Sequence, residues 1–329
     1  MRVTVLGAGS WGTTVASLIA PRNPTTIWAR NDGTADEISK DHTNGSYLAG
    51  FSLAPELRAT ADLREAVESA DLLIVGVPTK GFRSVLEAAA PHVRPWIPVV
   101  SLSKGFEEGT LLRMTEVIGS VLPGHPAAAL TGPNIAREIM GGQAAAAVIA
   151  TDDLTVAAAI QGVIQRGVFR VYLNHDVIGC EIGGALKNVI AIAAGMGQGL
   201  GVGDNTRAAV ISRGLAEVTR LGVAMGAEAR TFAGLAGMGD LIATCMSPHS
   251  RNRRVGEQLG LGRSLDEILG EMHMVAEGVK TATTVLELAG RYDLELPICK
   301  VINQVVQAEI EPTEAYWGLT PAGHEADPG

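Results

Sequence analysis

The sequence predicts an α/β domain on a mostly parallel sheet, residues 1–176, followed by an all-α domain, residues 177–329. Three observations carry that prediction. Short β-type runs alternate with helix-type segments through the first half, and such alternation folds as right-handed crossovers covering both faces of a parallel sheet. A glycine-rich turn follows the first of those runs directly. Beyond Asn174-His175-Asp176 the pattern changes to helix-length apolar periodicity, and 329 residues is enough chain for two domains of ~100–200 residues each.

In chain order the strand runs are 3–6, 25–30, 72–77, 99–101, 127–130, 145–150 and 169–173. Helical spacing occupies 13–20, 82–90 and 111–121 between them. After Asp176, Ile182, Leu186, Val189, Ile190 and Ala193 fall on one helical face, and Val285, Leu286, Leu288 and Ala289 follow a threonine-rich capping turn. The last ten residues, rich in Pro, Gly and Asp, read as a frayed tail.

Composition narrows the chemistry. Hydrophobic residues are 47% and charged residues 19%, so the chain can bury large cores. Aromatic residues are only 4%, which opposes a ring-lined carbohydrate cleft or a base-stacking platform. The 26 basic and 35 acidic residues leave a net charge of −9, which repels nucleic acid and anionic membrane alike. Cys180, Cys245 and Cys299 are odd in number and far apart, so they read as buried thiols in a reducing cytoplasm, with no metal site. Met1–Leu6 reads as a strand and not as an apolar leader. The longest apolar tract, 182–196, is interrupted by Lys187 and Asn188 and is short for a bilayer. The expectation is a soluble cytoplasmic protein with no nucleic-acid partner and no membrane insertion.

The strongest local signal is Gly7-Ala8-Gly9-Ser10-Trp11-Gly12, placed after the first strand and opening a helix. Gly7 serves the tight turn, Gly9 lets backbone approach a diphosphate, and Gly12 allows close helix–strand packing. The helix N-terminus adds unpaired N–H groups and a positive dipole end. Together these predict a Rossmann-like dinucleotide site; a purely structural glycine turn is the alternative. The next strand run ends at Arg30, where NAD-selective proteins usually carry an acid. A guanidinium there suits a 2′-phosphate, so NADP(H) is the expected preference, with NAD(H) the alternative because Asp32 is close by; a solvated surface charge is the other reading of Arg30.

Lys104-Gly105 and Thr131-Gly132-Pro133-Asn134 follow strand runs, and ligands of open α/β sheets bind outside strand C-terminal ends. On position alone Lys104 is equally a ligand contact or a solvated lysine, and the 131–134 turn is either a ligand approach or a plain connection. Lys187, one of six lysines, interrupts an apolar helix, where an ammonium must be paired, neutralised or turned to a cleft. Proton transfer is the functional reading, and a snorkelling lysine the other. Ser250-Arg251-Asn252-Arg253-Arg254 reads as a capped helix start whose guanidinium groups suit a small phosphate dianion, with an exposed basic turn paired with Glu257 as the alternative. The seven histidines form no pattern, and no nucleophile elbow or Walker loop is present.

With these stretches, and with Ser103-Lys104-Gly105, Gly183-Gly184-Ala185-Leu186-Lys187-Asn188, Gly239-Asp240-Leu241 and Val275-Ala276-Glu277-Gly278, the chain resembles the bacterial NAD(P)-dependent glycerol-3-phosphate dehydrogenases. The resemblance covers nearly all of the sequence before residue 319. It implies hydride transfer between sn-glycerol 3-phosphate and dihydroxyacetone phosphate, supplying the backbone of glycerophospholipids, with Lys187 as the proton donor and acceptor. By the same likeness Lys104, Gly132, Asn134, Lys187, Asp240, Ser250, Arg251 and Asn252 hold the substrate. Gly7, Gly9, Ser10, Trp11, Gly12, Arg30, Lys104, Ala136, Arg251, Val275 and Glu277 contact the cofactor. Asn134 stands where that family usually has Ser or Thr, and an amide can still donate and accept. Two alternatives compete: a related dehydrogenase of a β-hydroxyacid, and a dinucleotide-binding sensor without catalysis. Apolar helices in the second half are compatible with a homodimer, and equally with core packing.

Overall fold

The computed structural model describes residues 1–272 and 276–318, in two compact units, Met1–Val177 and Ile178–Gly329. The frayed-tail expectation falls on residues outside that range.

The first unit is built on one eight-stranded sheet: β1 (Val3–Leu6), β2 (Thr25–Trp28), β3 (Arg58–Thr60), β4 (Leu72–Val75), β5 (Val99–Ser101), β6 (Ala127–Thr131), β7 (Ala145–Ala150) and β8 (Phe169–Asn174). Their spatial order is β3-β2-β1-β4-β5-β6-β7-β8. The pairs from β3 through to β6 are parallel, β7 lies antiparallel to β6, and β8 is parallel to β7. The sheet is thus mostly parallel, with a reversed pair at one edge. Along β4, Leu72 and Ile74 enter one buried cluster while Leu73 and Val75 enter the other. That alternation is how a sheet with both faces covered reads as one continuous apolar run.

The pattern on its own misses β3, a three-residue edge strand whose Arg58 and Thr60 give no apolar run. Run 72–77 ends early, at Val75, with the Gly76 N–H making the last bond to β1, to the Leu6 carbonyl oxygen at 2.7 Å. The helix expected over 111–121 starts at Met114: Leu111 is left-handed (φ 64°), and the Arg113 N–H is capped by Glu116 at 2.8 Å. The chain runs outward from β1 to β3 and then returns to place β4 on β1's other side. The loops after β1 and β4 therefore flank the point where strand order switches, the place where open α/β sheets bind ligands.

The second unit is helical, and its axis is the 23-residue helix Val177–Gly199. Instead of one buried face it is buried all round from Gly179 to Gly197, as a core helix is. Its length and composition would suffice to cross a membrane, in contrast to the shorter tract read from sequence, but 89% of its most apolar window lies inside the protein. Helix Arg251–Gly260 crosses it at backbone contact. A Cβ on Gly256 would sit 1.9 Å from the Ile192 carbonyl oxygen, and one on Gly195 would sit 2.0 Å from that of Arg253.

A buried acid joins two further helices. Glu217, on helix Asp204–Ala224, accepts from the Ile298 N–H at 2.7 Å and the Cys299 N–H at 3.1 Å, capping helix Pro297–Val306. Burial raises its pKa, and those two N–H bonds oppose the rise. Cys180, Cys245 and Cys299 are all buried, and none forms a disulfide. Burial pushes the Cys245 thiol up to about 12, which leaves it protonated and chemically quiet near neutral pH.

Candidate active site

The first unit contributes the glycine turn. Gly7 leaves β1 with φ +110°, and a Cβ there would meet the Gly76 carbonyl oxygen at 2.8 Å, at the end of β4. At Gly12 a Cβ would lie 2.1 Å from the Gly7 carbonyl oxygen, so the first turn of helix Ser10–Ile19 rests directly on the bend. Around Gly9 the opposite holds, with nothing within 4 Å of where a Cβ would be. Gly9 is also the N-cap, in extended conformation and without a side-chain cap. Uncapped N–H groups beside open space are what a diphosphate requires, so these residues fit a dinucleotide.

Ser10 donates to the Tyr47 carbonyl at 2.9 Å. Trp11 packs edge-on against Phe169 at 6.0 Å, its Nε1 buried without a partner. Beyond β2, Arg30 is exposed and forms no ion pair among the described residues. Asn31 caps helix Asp32–Asp36 by accepting from the Thr34 N–H at 2.8 Å, which puts Asp32 in that helix's first turn.

Lys104 follows β5, and its Nζ donates to the Gly132 carbonyl oxygen at 2.9 Å. Gly132 is left-handed (φ +112°) and lies so close to β7 that a Cβ would be 3.2 Å from the Ala146 carbonyl oxygen. Both amide atoms of Asn134 are buried with no partner. An amide with its whole hydrogen-bonding capacity unspent in a protein interior calls for a ligand or an ordered water. Ala136 opens the short helix Ala136–Met140 nearby.

The Lys104 loop is held by Glu107, which takes two bonds from Arg83 at 2.7 and 2.8 Å and one from Thr110 at 2.6 Å. The Arg83 guanidinium keeps the Glu107 carboxyl below its ordinary range. A depressed pKa contributes stability above the unfolded value, near 4.5, and loses it as pH falls through the folded value. Glu107→Gln should therefore destabilise the protein at pH 7, with the gap from wild type closing toward pH 3. Urea unfolding at both pH values checks this; a gap of constant size would show that the ion pair adds nothing.

In the second unit Lys187 is 7% exposed on the central helix. Its Nζ donates to Asp240 Oδ1 and, at 2.8 Å, to Thr244 Oγ1. Thr244 in turn donates to the Asp240 carbonyl oxygen at 2.6 Å, so its hydroxyl proton is committed and its oxygen faces the amine as an acceptor. Asp240 and Thr244 share helix Asp240–Met246 at i,i+4 spacing, which aligns them on one face. Lys187 lines a narrow crevice together with Gly183, Leu215, Val218, Gly237 and Leu241. Sequence reasoning missed Thr244, although its spacing from Asp240 was a usable signal.

The arginine turn opens helix Arg251–Gly260. Ser250 Oγ accepts from the Arg253 N–H at 3.2 Å, making Ser250 the N-cap. Arg253 pairs with Glu257 at 3.3 Å, while Arg251 and Arg254 are exposed. Although part of its side chain meets solvent, the surrounding protein desolvates Arg251 and lowers its pKa, while Glu277 pushes it back up, which places those two charges in one field. Asn252 is buried: its Nδ2 donates to Asn188 Oδ1 at 2.9 Å, and its Oδ1 accepts from the Gly278 N–H at 3.0 Å. One amide thus ties the lysine helix, the arginine helix and the helix Glu277–Arg291 together. Val275 lies outside the described residues. Among the described residues no group of three His, Cys, Asp or Glu could hold a metal ion.

Two family profiles match the chain: NAD-dependent glycerol-3-phosphate dehydrogenase N-terminus over residues 2–157, and the C-terminus of the same family over residues 176–316. Glycerol-3-phosphate dehydrogenase (NAD(P)+) 2 of Sphingopyxis alaskensis is 55% identical over 331 residues, covering 100% of this chain and 99% of the relative. A glycerol-3-phosphate dehydrogenase (NAD(P)+) of Mycobacterium avium is 53% identical over 327 residues, covering 98% and 96%. The crystal structure of glycerol-3-phosphate dehydrogenase from Coxiella burnetii superposes with a TM-score of 0.93 at 32% identity, covering 97% of this chain and 98% of that one.

Proposed function

Because this chain belongs to the NAD-dependent glycerol-3-phosphate dehydrogenase family, we propose that Lys187 is the proton donor and acceptor as it interconverts sn-glycerol 3-phosphate and dihydroxyacetone phosphate. The observation that carries this role is a buried ammonium whose direction is set by a carboxylate and a hydroxyl on one helix face. When bound, the nicotinamide supplies hydride to, or takes it from, carbon 2 of the three-carbon phosphate. Lys187 neutralises the charge that builds on the adjacent oxygen and gives that oxygen its proton, taking it back in the oxidative direction. Asp240 offsets the cost of holding the ammonium inside the protein. Thr244 stops it rotating away.

Residues 1–176 are assigned to the dinucleotide, through Gly7, Gly9, Ser10, Trp11, Gly12, Arg30 and Ala136. Residues 177–329 are assigned to the substrate, through Lys187, Asp240, Ser250, Arg251 and Asn252. Lys104, Gly132 and Asn134 supply further substrate contacts from the first unit; Lys104, Arg251, Val275 and Glu277 also serve the cofactor. Anchoring the remote phosphate on Arg251 positions the reacting carbon, which turns binding energy into rate. The orphaned amide of Asn134 supports its place in this set.

The enzyme uses NADP(H) in preference to NAD(H), a reading supported by the unpaired guanidinium of Arg30. Arg30→Asp should raise the KM for NADPH about tenfold or more while leaving that for NADH little changed. Initial rates with dihydroxyacetone phosphate, NADPH and NADH side by side test the activity and the preference together; no oxidation of either cofactor would refute the assignment. A cytoplasmic location is supported by three buried cysteines that form no disulfide. Homodimer formation is supported by exposed apolar side chains at four-residue spacing, Met238, Ile242 and Met246, and sedimentation tests it.

A further inference from the structure

The loop after β2 is built as a brace. Glu37 accepts from the Gly45 N–H at 2.6 Å and the Thr43 hydroxyl at 2.9 Å, closing the loop on itself, and Leu48 anchors its far end in the core. From this loop Asn44, 0% exposed, donates through Nδ2 to the Ala8 carbonyl oxygen at 2.9 Å and to Thr13 Oγ1 at 2.9 Å. Three residues on, the Tyr47 carbonyl accepts from Ser10. The glycine turn is thus gripped on both sides of Gly9.

A trans peptide points its C=O and its N–H in opposite directions, and no peptide bond among the described residues is cis. Holding the Ala8 carbonyl on Asn44 therefore turns the Gly9 N–H away from the brace. That N–H bonds no group among the described residues, and the space beside Gly9 is open. We propose that Asn44 is a positioning residue for the dinucleotide: by fixing the Ala8–Gly9 peptide, it aims the Gly9 N–H at the diphosphate. This rests on the reading of residues 7–12 as the cofactor turn. Asn44 acts through the backbone and adds no contact of its own.

Two variants separate this role from a merely structural one. Asn44→Ala removes the donor. Asn44→Asp keeps the shape but sets a carboxylate against the Ala8 carbonyl, and protonating that carboxyl at lower pH restores a donor. NADPH is titrated into each purified full-length protein, with steady-state rates measured alongside. Both variants should bind NADPH about tenfold more weakly at pH 8, with the KM for dihydroxyacetone phosphate and the saturated kcat unmoved. Adenosine 2′-monophosphate, which lacks the diphosphate, should bind all three proteins alike. Affinity of Asn44→Asp for NADPH should recover as pH falls toward about 5.5, relative to wild type. If the alanine variant does not fold, the aspartate variant and its pH profile decide alone. Wild-type affinity for NADPH in the variants, or equal loss of NADPH and adenosine 2′-monophosphate, would overturn the proposal. A wild-type protein that binds neither NADPH nor NADH would instead overturn the cofactor reading beneath it.

Discussion

Lys187→Met lowers kcat for dihydroxyacetone phosphate reduction by about 10²–10⁴-fold, the loss typical of removing a positioned general acid, while NADPH still binds. The side chain keeps an unbranched apolar stem and loses only about one atom of length, so the change isolates the amine. It also strands the buried carboxylate of Asp240, and breaking a buried pair from one side costs about 3–5 kcal/mol of stability. Rates are therefore compared per folded molecule, with the melting temperature measured in parallel. Asp240→Asn supplies the complementary variant: it keeps a hydrogen-bond acceptor for the amine and removes the charge. If Lys187→Met folds, binds NADPH and turns over at the wild-type rate, the amine has no part in the chemistry.

Gly256→Ala lowers the melting temperature by about 5–10 °C, from ~2–3 kcal/mol of forced overpacking in the helical unit. The added methyl would lie 1.9 Å from the Ile192 carbonyl oxygen, and that neighbour is the backbone of a helix, which cannot rotate aside. Alanine's better helix propensity, worth up to ~1 kcal/mol, offsets only part of this. Gly162→Ala is the control of opposite sign. Gly162 lies inside helix Leu154–Ile164 with nothing within 4 Å of a new Cβ, so propensity acts alone and the protein gains a few tenths to ~1 kcal/mol. Differential scanning calorimetry on both variants checks the pair. Equal shifts would mean that the crossing does not depend on glycine.

The Gly256 contact shows why part of the molecule was legible and part was not. That the 182–196 segment is helical follows from its spacing, because periodicity is a local property of the chain. That this helix is buried on every side, with glycines letting another helix touch its backbone, is a property of two segments some sixty residues apart. The same division runs through the site. Gly7, Gly9 and Gly12 could be read in place, since strand, turn and helix are contiguous there. Lys187 stood out as a charge in apolar surroundings, but its bonds to Asp240 and Thr244 span 53 and 57 positions. No spacing rule reaches that far. Asn44, 36 residues from Ala8, gave no signal at all.

The edge of the sheet makes the same point. Runs 127–130 and 145–150 both read as strands, yet nothing in either segment shows that β7 runs antiparallel to β6, because direction depends on how the connection packs and not on side-chain alternation. By itself the sequence determined most of the strands and helices, where the glycine turn sits, and that a charge in an apolar helix must be paired, neutralised or turned to a cleft. All of these depend on neighbours along the chain. Only the tertiary structure decided which carboxylate receives the lysine, which amide grips the turn, and which glycines let helices meet, because those partners become neighbours only after folding.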